Sequence, residues 1–314
     1  MAVGARIAAE SGLRKLLTRQ EDLPPVVGGV GPSQVVTPVG PWNTLLEFLV
    51  NRFPAVGEAE WRARFERGEI RTDEGIQQEQ ARFRPACRIF YYRKVREEVP
   101  IPGLEEVLYQ DEHLVVADKP PFLPVVPSGR YVQETLLVRL KRKLGIDDLS
   151  PAHRIDRDTQ GLVLFVVRPS ERGAYQALFR DRRVEKTYEA IAPWRDGLPE
   201  VYESRLVEGD AHMQMMEVAG APNAVTDLRL LERLGDRGRY QLRPKTGQKH
   251  QLRAHMAALG IPIENDRIYP VLGPLTDDDL DRPLQLLSKE LVFEDAVTGE
   301  PRRFESRRVL RFFT

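Results

Sequence analysis

The sequence predicts a mixed α/β fold, with one large domain and a smaller unit ahead of it. Three observations carry that expectation. The chain has 314 residues, long for one ordinary domain and comfortable for a large one plus a small one. Short apolar runs of strand type alternate with helical apolar periodicity from about residue 104 onwards. Pro100-Ile101-Pro102-Gly103 punctuates the chain just before that alternation begins and reads as a linker.

The elements follow in order. Residues 1–41 are rich in Gly, Pro and Val without periodicity and read as a flexible leader. Residues 42–98 form the small unit. In it, Leu45, Leu46, Phe48 and Leu49 share a helical face after Asn43 or Thr44 as cap, and Trp61 and Phe65 repeat the i, i+4 spacing. Gly68 leads into a strand at Glu69-Ile70-Arg71, and a second strand lies around Arg88–Tyr92. Arginines such as Arg62, Arg67, Arg84 and Arg88 make this unit read as basic.

Residues 104–314 form the main domain. Leu114–Ala117 reads as a short buried strand, and Leu136, Leu137, Leu140 and Leu144 as the apolar face of a helix ended by Gly145. Leu162–Val167 is a continuous apolar run, as for a strand covered on both faces. Ser170 is placed to cap a helix that turns Tyr175, Leu178 and Phe179 inward. Lys186–Ala192 alternates like a strand, and Leu252, Met256 and Leu259 line a helix closed by Gly260.

Hydrophobic residues make up 41% and charged residues 30%, the balance of a soluble folded protein. No apolar run approaches the roughly 18–20 residues of a membrane span, so no membrane partner is expected. The first residues lack a signal-type apolar core and carry Glu10, which points to the cytoplasm. A single cysteine, Cys87, excludes an internal disulfide and a thiolate zinc site. Basic and acidic residues balance at 47 each, so total charge names no polyanionic partner. Locally the charges segregate. Arg239, Arg243, Lys245, Lys249 and Arg253 follow one another without an acid, and Arg139–Lys143 is a second basic cluster. Acids gather at Asp277-Asp278-Asp279 and Glu97-Glu98. Such segregation steers a phosphate backbone more than the total does.

Chemistry concentrates at Pro151–Gly161, where two carboxylates, two arginines and a histidine crowd a turn entering the buried strand. By pattern alone this reads rather as a capping turn whose Asp158 and Thr159 bond backbone donors. His153-Arg-Ile-Asp156-Arg-Asp-Thr-Gln-Gly-Leu162 resembles the HRLDxxTSGLL signature of the RluA-type pseudouridine synthases. Three further stretches resemble that family's motifs in the same order. They are Asp118-Lys119-Pro-Pro with Val126-Pro127; Lys186-Thr-Tyr188-Glu-Ala; and Pro244–His255, continued by Leu259–Ile263 and Asp266-Arg-Ile-Tyr269.

The resemblance implies an α+β class, with the pseudouridine synthase fold around a largely antiparallel central sheet. It also implies, ahead of that domain, a small RNA-binding-like domain of the ribosomal-protein type; another kind of adaptor stays open. It implies an isomerase that works on ribosomal or transfer RNA without a cofactor or metal, and a monomer is expected. Residue by residue, Asp156 matches the catalytic carboxylate, Arg253 its basic partner and Tyr188 the active-site tyrosine. Arg154 matches a residue that fills the space left by an extruded base. His250, Gln251, Lys119 and Lys249 fall where the family contacts RNA or orients the Arg253 helix. Three positions depart from the family: Gln160 replaces a serine beside Asp156, Gln248 an arginine, and the late LHA motif stands as Leu286-Leu287-Ser288, without its histidine. Two competing readings use the same residues. One is an RNA-binding protein on a synthase scaffold that has lost its chemistry. The other is a metal hydrolase built from His153, Asp156, His250 and His255.

Overall fold

The computed structural model describes residues 24–93, 98–209, 214–273 and 278–312. Most of the expected leader, together with Lys94, Glu97 and Asp277, lies outside them. The chain divides into two units, one within Met1–Arg96 and the other within Glu97–Thr314.

In the first unit, helix α1 (Leu45–Arg52) starts where Thr44 turns extended and its hydroxyl accepts from the Glu47 N–H. Glu47 in return accepts from the Asn43 N–H at 2.8 Å, so one helix donor and the N–H just ahead of the cap are both satisfied. Its buried face packs on Trp61 and Phe65 of α2 (Glu58–Glu66). A four-stranded sheet adjoins them, in the order β1 (Ser33–Val36), β4 (Arg88–Tyr91), β2 (Arg71–Thr72), β3 (Gly75–Ile76).

Three expectations change here. The strand β1 lies inside the stretch assigned to a leader. Its backbone pairs with β4 while Val35 packs on the core, and four residues between Gly- and Pro-rich segments show no periodicity. The strand expected at Glu69 begins at Arg71 and turns back at once into β3. The basic faces are largely neutralised: Arg62 meets Glu58 and Glu79, Arg67 meets Glu60 and Glu69, Arg84 meets Glu74, and Arg88 meets Asp73.

The second unit is built on a sheet that runs β11 (Met215–Val218), β10 (Val201–Glu208), β12 (Ala224–Leu234), β13 (Arg237–Pro244), β9 (Glu185–Pro193), β14 (Leu286–Glu294), β8 (Gln160–Val166), β6 (Leu114–Lys119), β5 (Glu106–Gln110). Two short strands extend it: β15 (Pro301–Glu305) pairs with β14 and β7 (Ser150–Pro151) with β8. Every pairing is antiparallel except β14 with β8.

Strands β6 and β8 are buried along their whole length, and the apolar runs Leu114–Ala117 and Leu162–Val166 make up most of each. Val115, Ala117, Val163 and Phe165 face α3 (Leu136–Leu144), which Thr135 caps and a left-handed Gly145 ends. On the other side Leu114, Val116, Leu162 and Leu164 face Tyr175 and Leu178 of α4 (Arg172–Arg180). Ser170 does not cap α4. Pro169, with its fixed φ, opens a 3-10 turn through Glu171, and the α-helix follows from Arg172. Helix α5 (Gln251–Ala258) buries Leu252 and Met256 against β9 and β13.

The basic runs are largely neutralised by neighbouring elements. Arg139 pairs with Glu134 and Glu105, and Lys141, Arg142 and Lys143 occupy the last turn of α3, where cations suit the helix dipole. Arg239 meets Glu232, Lys245 meets Asp227, and Lys249 meets Glu208. No helix among the described residues is long and apolar enough to cross a membrane.

Candidate active site

The loop between β7 and β8 is held from three sides. The Ala152 N–H donates to the Leu164 carbonyl at 2.9 Å, and the Leu164 N–H donates to His153 Nε2 at 3.1 Å, so the imidazole completes the ladder where the loop leaves it. The same ring stacks on Phe179 with centroids 4.2 Å apart. From below, Lys119 Nζ donates to the Arg157 carbonyl at 2.8 Å and to the Pro120 carbonyl at 3.0 Å. Gly161, at φ +107°, follows the loop. A Cβ there would sit 2.3 Å from the Ser288 carbonyl oxygen, so glycine is needed where β8 meets β14 in parallel.

The carboxylate of Asp156 is displayed on this loop, 30% exposed, with Arg253 Nη1 at 3.5 Å and His250 Nε2 at 3.8 Å. Arg253 is 2% exposed and makes its closer contacts with Asp266, at 2.8 Å through Nε and 2.6 Å through Nη2. Burial works against the guanidinium charge. The hydrogen bonds and charge of Asp266, helped by Asp156, outweigh it and raise the Arg253 pKa. Asp266 Oδ1 also accepts the Ile268 and Tyr269 N–H groups, which locks the acceptor in place. The three groups form a chain, Asp156–Arg253–Asp266, with one end open to solvent and the other enclosed.

His250 opens α5 in the left-handed region, at φ 53°. Burial holds its pKa below the ordinary value, with the Asp156 charge opposing. Gln251 accepts from the Thr246 hydroxyl and the Gln248 N–H, and it donates to the Val225 carbonyl and the Thr226 hydroxyl. It ties the helix start to β12.

Tyr188, on β9, lines a pocket of about 340 Å³ together with Asp156, Arg154, Lys186, His250 and Arg253. That volume suits a small ligand or a single nucleoside. Burial, with the Asp156 charge adding to it against the Ser288 hydroxyl, pushes the Tyr188 hydroxyl up to about 12, so it carries its proton at neutral pH.

The structure therefore brings Asp156, Tyr188, Arg253, Arg154 and His250 together and separates others. Lys119 is fully buried, its pKa drawn down to about 7 by burial against the charges of Asp158 and Asp156; its ammonium is spent on backbone carbonyls that hold the Asp156 loop. Gln251 is spent on protein partners. Lys249 stands outside the pocket, ion-paired to Glu208. Gln160 does not enlarge the site, because it faces a separate depression with Gln285 and Arg311. The four-ligand metal reading also fails: His153 is committed to Leu164 and Phe179, and His255 faces Ser204 and Thr226. Sequence reasoning gave no role to Asp266 or Lys186, although both stand inside matched motifs.

A half-buried histidine, His153, and a buried one, His255, make acid lability an expected result. Burial draws His153 down to about 3, with the Lys186 charge adding to it, and His255 down to about 4. The unfolded chain takes up protons below an ordinary value of about 6.5 that the folded chain refuses. Stability from the neutral rings is complete above that value and is lost as pH falls towards the folded values. Moving from pH 7.5 to 5 costs roughly 1–2 kcal/mol per ring. Urea unfolding at the two pH values measures it, and equal free energies would contradict neutral burial.

Residues 113–258 match the family model described as RNA pseudouridylate synthase. The dual-specificity RNA pseudouridine synthase RluA of Haemophilus influenzae is 32% identical over 219 residues, covering 66% of this chain and 95% of that protein. An uncharacterised RNA pseudouridine synthase of Synechocystis is 30% identical, covering 72% and 79%. Among solved structures, human RNA Pseudouridylate Synthase Domain Containing 4 superposes with a TM-score of 0.51 at 26% identity, covering 65% of this chain and 88% of that one. The ordered motifs, the antiparallel sheet and these matches agree: the chain belongs to the RluA-type RNA pseudouridine synthases.

Proposed function

We propose that the Asp156 carboxylate drives the isomerisation of uridine in ribosomal or transfer RNA, without a cofactor, and that the protein works as a cytoplasmic monomer. The observation that carries this reading is a part-exposed carboxylate beside a buried, permanently charged guanidinium at the mouth of a nucleoside-sized pocket. The reaction breaks the bond from uracil N1 to C1′, turns the base and joins C5 to the same carbon. The C5 hydrogen leaves as a proton, N1 gains one, and no water is consumed. The carboxylate either attacks C1′ or removes a proton from C2′, and both routes need it ionised. Arg253 sets a guanidinium 3.5 Å from it, and a guanidinium keeps its own charge when enclosed.

Arg154 is exposed at the rim and fits the role of filling the stack once the base has left it. Tyr188 supplies a ring to stack on uracil and a hydroxyl near the reacting atoms. Its raised pKa makes that hydroxyl a donor in the free protein. To take the C5 proton the phenol must first pass its own proton on, and loss of the Asp156 charge, the smallest cause of the elevation, eases that release. The H. influenzae relative is named a dual-specificity enzyme, which supports more than one RNA as substrate. The helix pair and hairpin of the N-terminal unit support its role as an RNA-binding module.

The decisive experiment is tritium release from ribosomal and transfer RNA transcripts labelled at uridine C5, because forming the new bond expels that hydrogen. No release from either RNA class would sink the proposal and favour a binding protein on a synthase scaffold. For Tyr188→Phe, which keeps the ring, kcat is expected to drop about 10²–10⁴-fold with KM little changed. A KM effect alone would reduce Tyr188 to a stacking surface.

A further inference from the structure

A second ion chain runs beside Asp156–Arg253–Asp266 and has no part in the chemistry above. Asp278 accepts from Arg157 at 2.5 Å and 3.0 Å through both terminal nitrogens and from Arg267 at 3.2 Å, with Arg130 at 3.5 Å. Arg157 directly follows Asp156 and Arg267 directly follows Asp266, so each guanidinium starts about 3.8 Å of backbone from a member of the first chain. Arg130 and Arg157 both lie over the Tyr131 ring, at 5.2 Å and 5.9 Å, which holds their forks facing the same carboxylate.

We propose that Arg130, Arg157 and Arg267 form a cradle for an RNA backbone phosphate beside the reaction site, and that the Asp278 carboxylate occupies it in the free protein. The inference rests on the reading of RNA as substrate. Three arginines, with no lysine among them, offer planar forks that fit a phosphodiester as well as a carboxylate. Exchanging one monoanion for the other leaves the charge balance unchanged. Asp158 also accepts from Arg157, through Nε at 3.0 Å. Folding does not account for the cluster. Arg130 is 58% exposed and Arg267 34%, where an ion pair stabilises little, and Arg157 has Asp158 as a second acid.

Binding of labelled unfractionated transfer RNA, measured by filter retention between about 50 and 200 mM salt, tests this. Asp278→Asn keeps the shape and removes the competing charge, so RNA is expected to bind about tenfold more tightly. Arg130→Gln, at an exposed position, is expected to weaken binding and flatten the log–log salt slope by about 0.7–0.9, the loss of one phosphate contact. Unchanged or weaker affinity in the Asp278 variant, or an unchanged slope in the Arg130 variant, overturns the cradle. Tritium release by the wild type keeps the two claims apart. Product formed with no gain in Asp278→Asn binding removes the cradle alone. Tighter binding by that variant with no product from the wild type removes the isomerase role alone.

Discussion

Replacing Asp156 with asparagine is expected to lower kcat by about four orders of magnitude and leave RNA affinity within about threefold of wild type. The amide has the size and planarity of the carboxylate, so the loop held by His153, Lys119 and Gly161 has no reason to move. Arg253 keeps its bidentate contact with Asp266, which leaves no buried charge uncompensated. What disappears is the anionic oxygen that either attacks C1′ or takes the C2′ proton, and the amide can do neither. Affinity should hold because the phosphate backbone carries most of it, and removing an acid near a polyanion does not weaken binding. Single-turnover tritium release with a parallel binding titration checks both halves. Turnover within tenfold of wild type would move the catalytic role to another group, whereas loss of binding would mean that Asp156 positions RNA.

The Asp156 motif was legible because reactive residues, their spacing and the following buried strand all lie in one stretch of chain. Tyr188 and Arg253 were legible through ordered motifs, even though their strand and helix are far apart in sequence. Contacts that depend on the enclosing sheet were not legible. Lys119 reads as a surface cation until β6 is seen to be covered through its last residue. The apolar run Leu114–Ala117 earlier in the same strand was the available signal. Gln160 reads as a neighbour of Asp156, but alternation along a strand sends successive side chains to opposite faces and takes it elsewhere. The basic runs read as an RNA footprint because their acids, such as Asp227, Glu208 and Glu232, sit on neighbouring strands. Asp266 was missed because it meets Arg253 only after the chain has left α5 and turned past Gly260.

Removing that carboxylate should have the largest effect on stability. Asp266→Ala is expected to cost about 3–5 kcal/mol, because Arg253 would be left enclosed with its charge only partly met. Asp156, 3.5 Å away and partly solvated, is a poor substitute for a bidentate partner with no exposed surface. Two backbone N–H groups, those of Ile268 and Tyr269, would lose their acceptor as well. Urea unfolding at neutral pH measures the loss, and a cost below about 1 kcal/mol would show that water or Asp156 replaces Asp266 freely. The double variant Arg253→Met, Asp266→Leu separates structure from chemistry. Exchanging a buried ion pair for apolar groups of similar volume is often neutral, so most of the stability should return. Activity should not return, since the Asp156 carboxylate would then lack the guanidinium that stands 3.5 Å from it. A stable and active double variant would mean that the carboxylate needs no such partner, and that the Asp156–Arg253–Asp266 chain serves the fold alone.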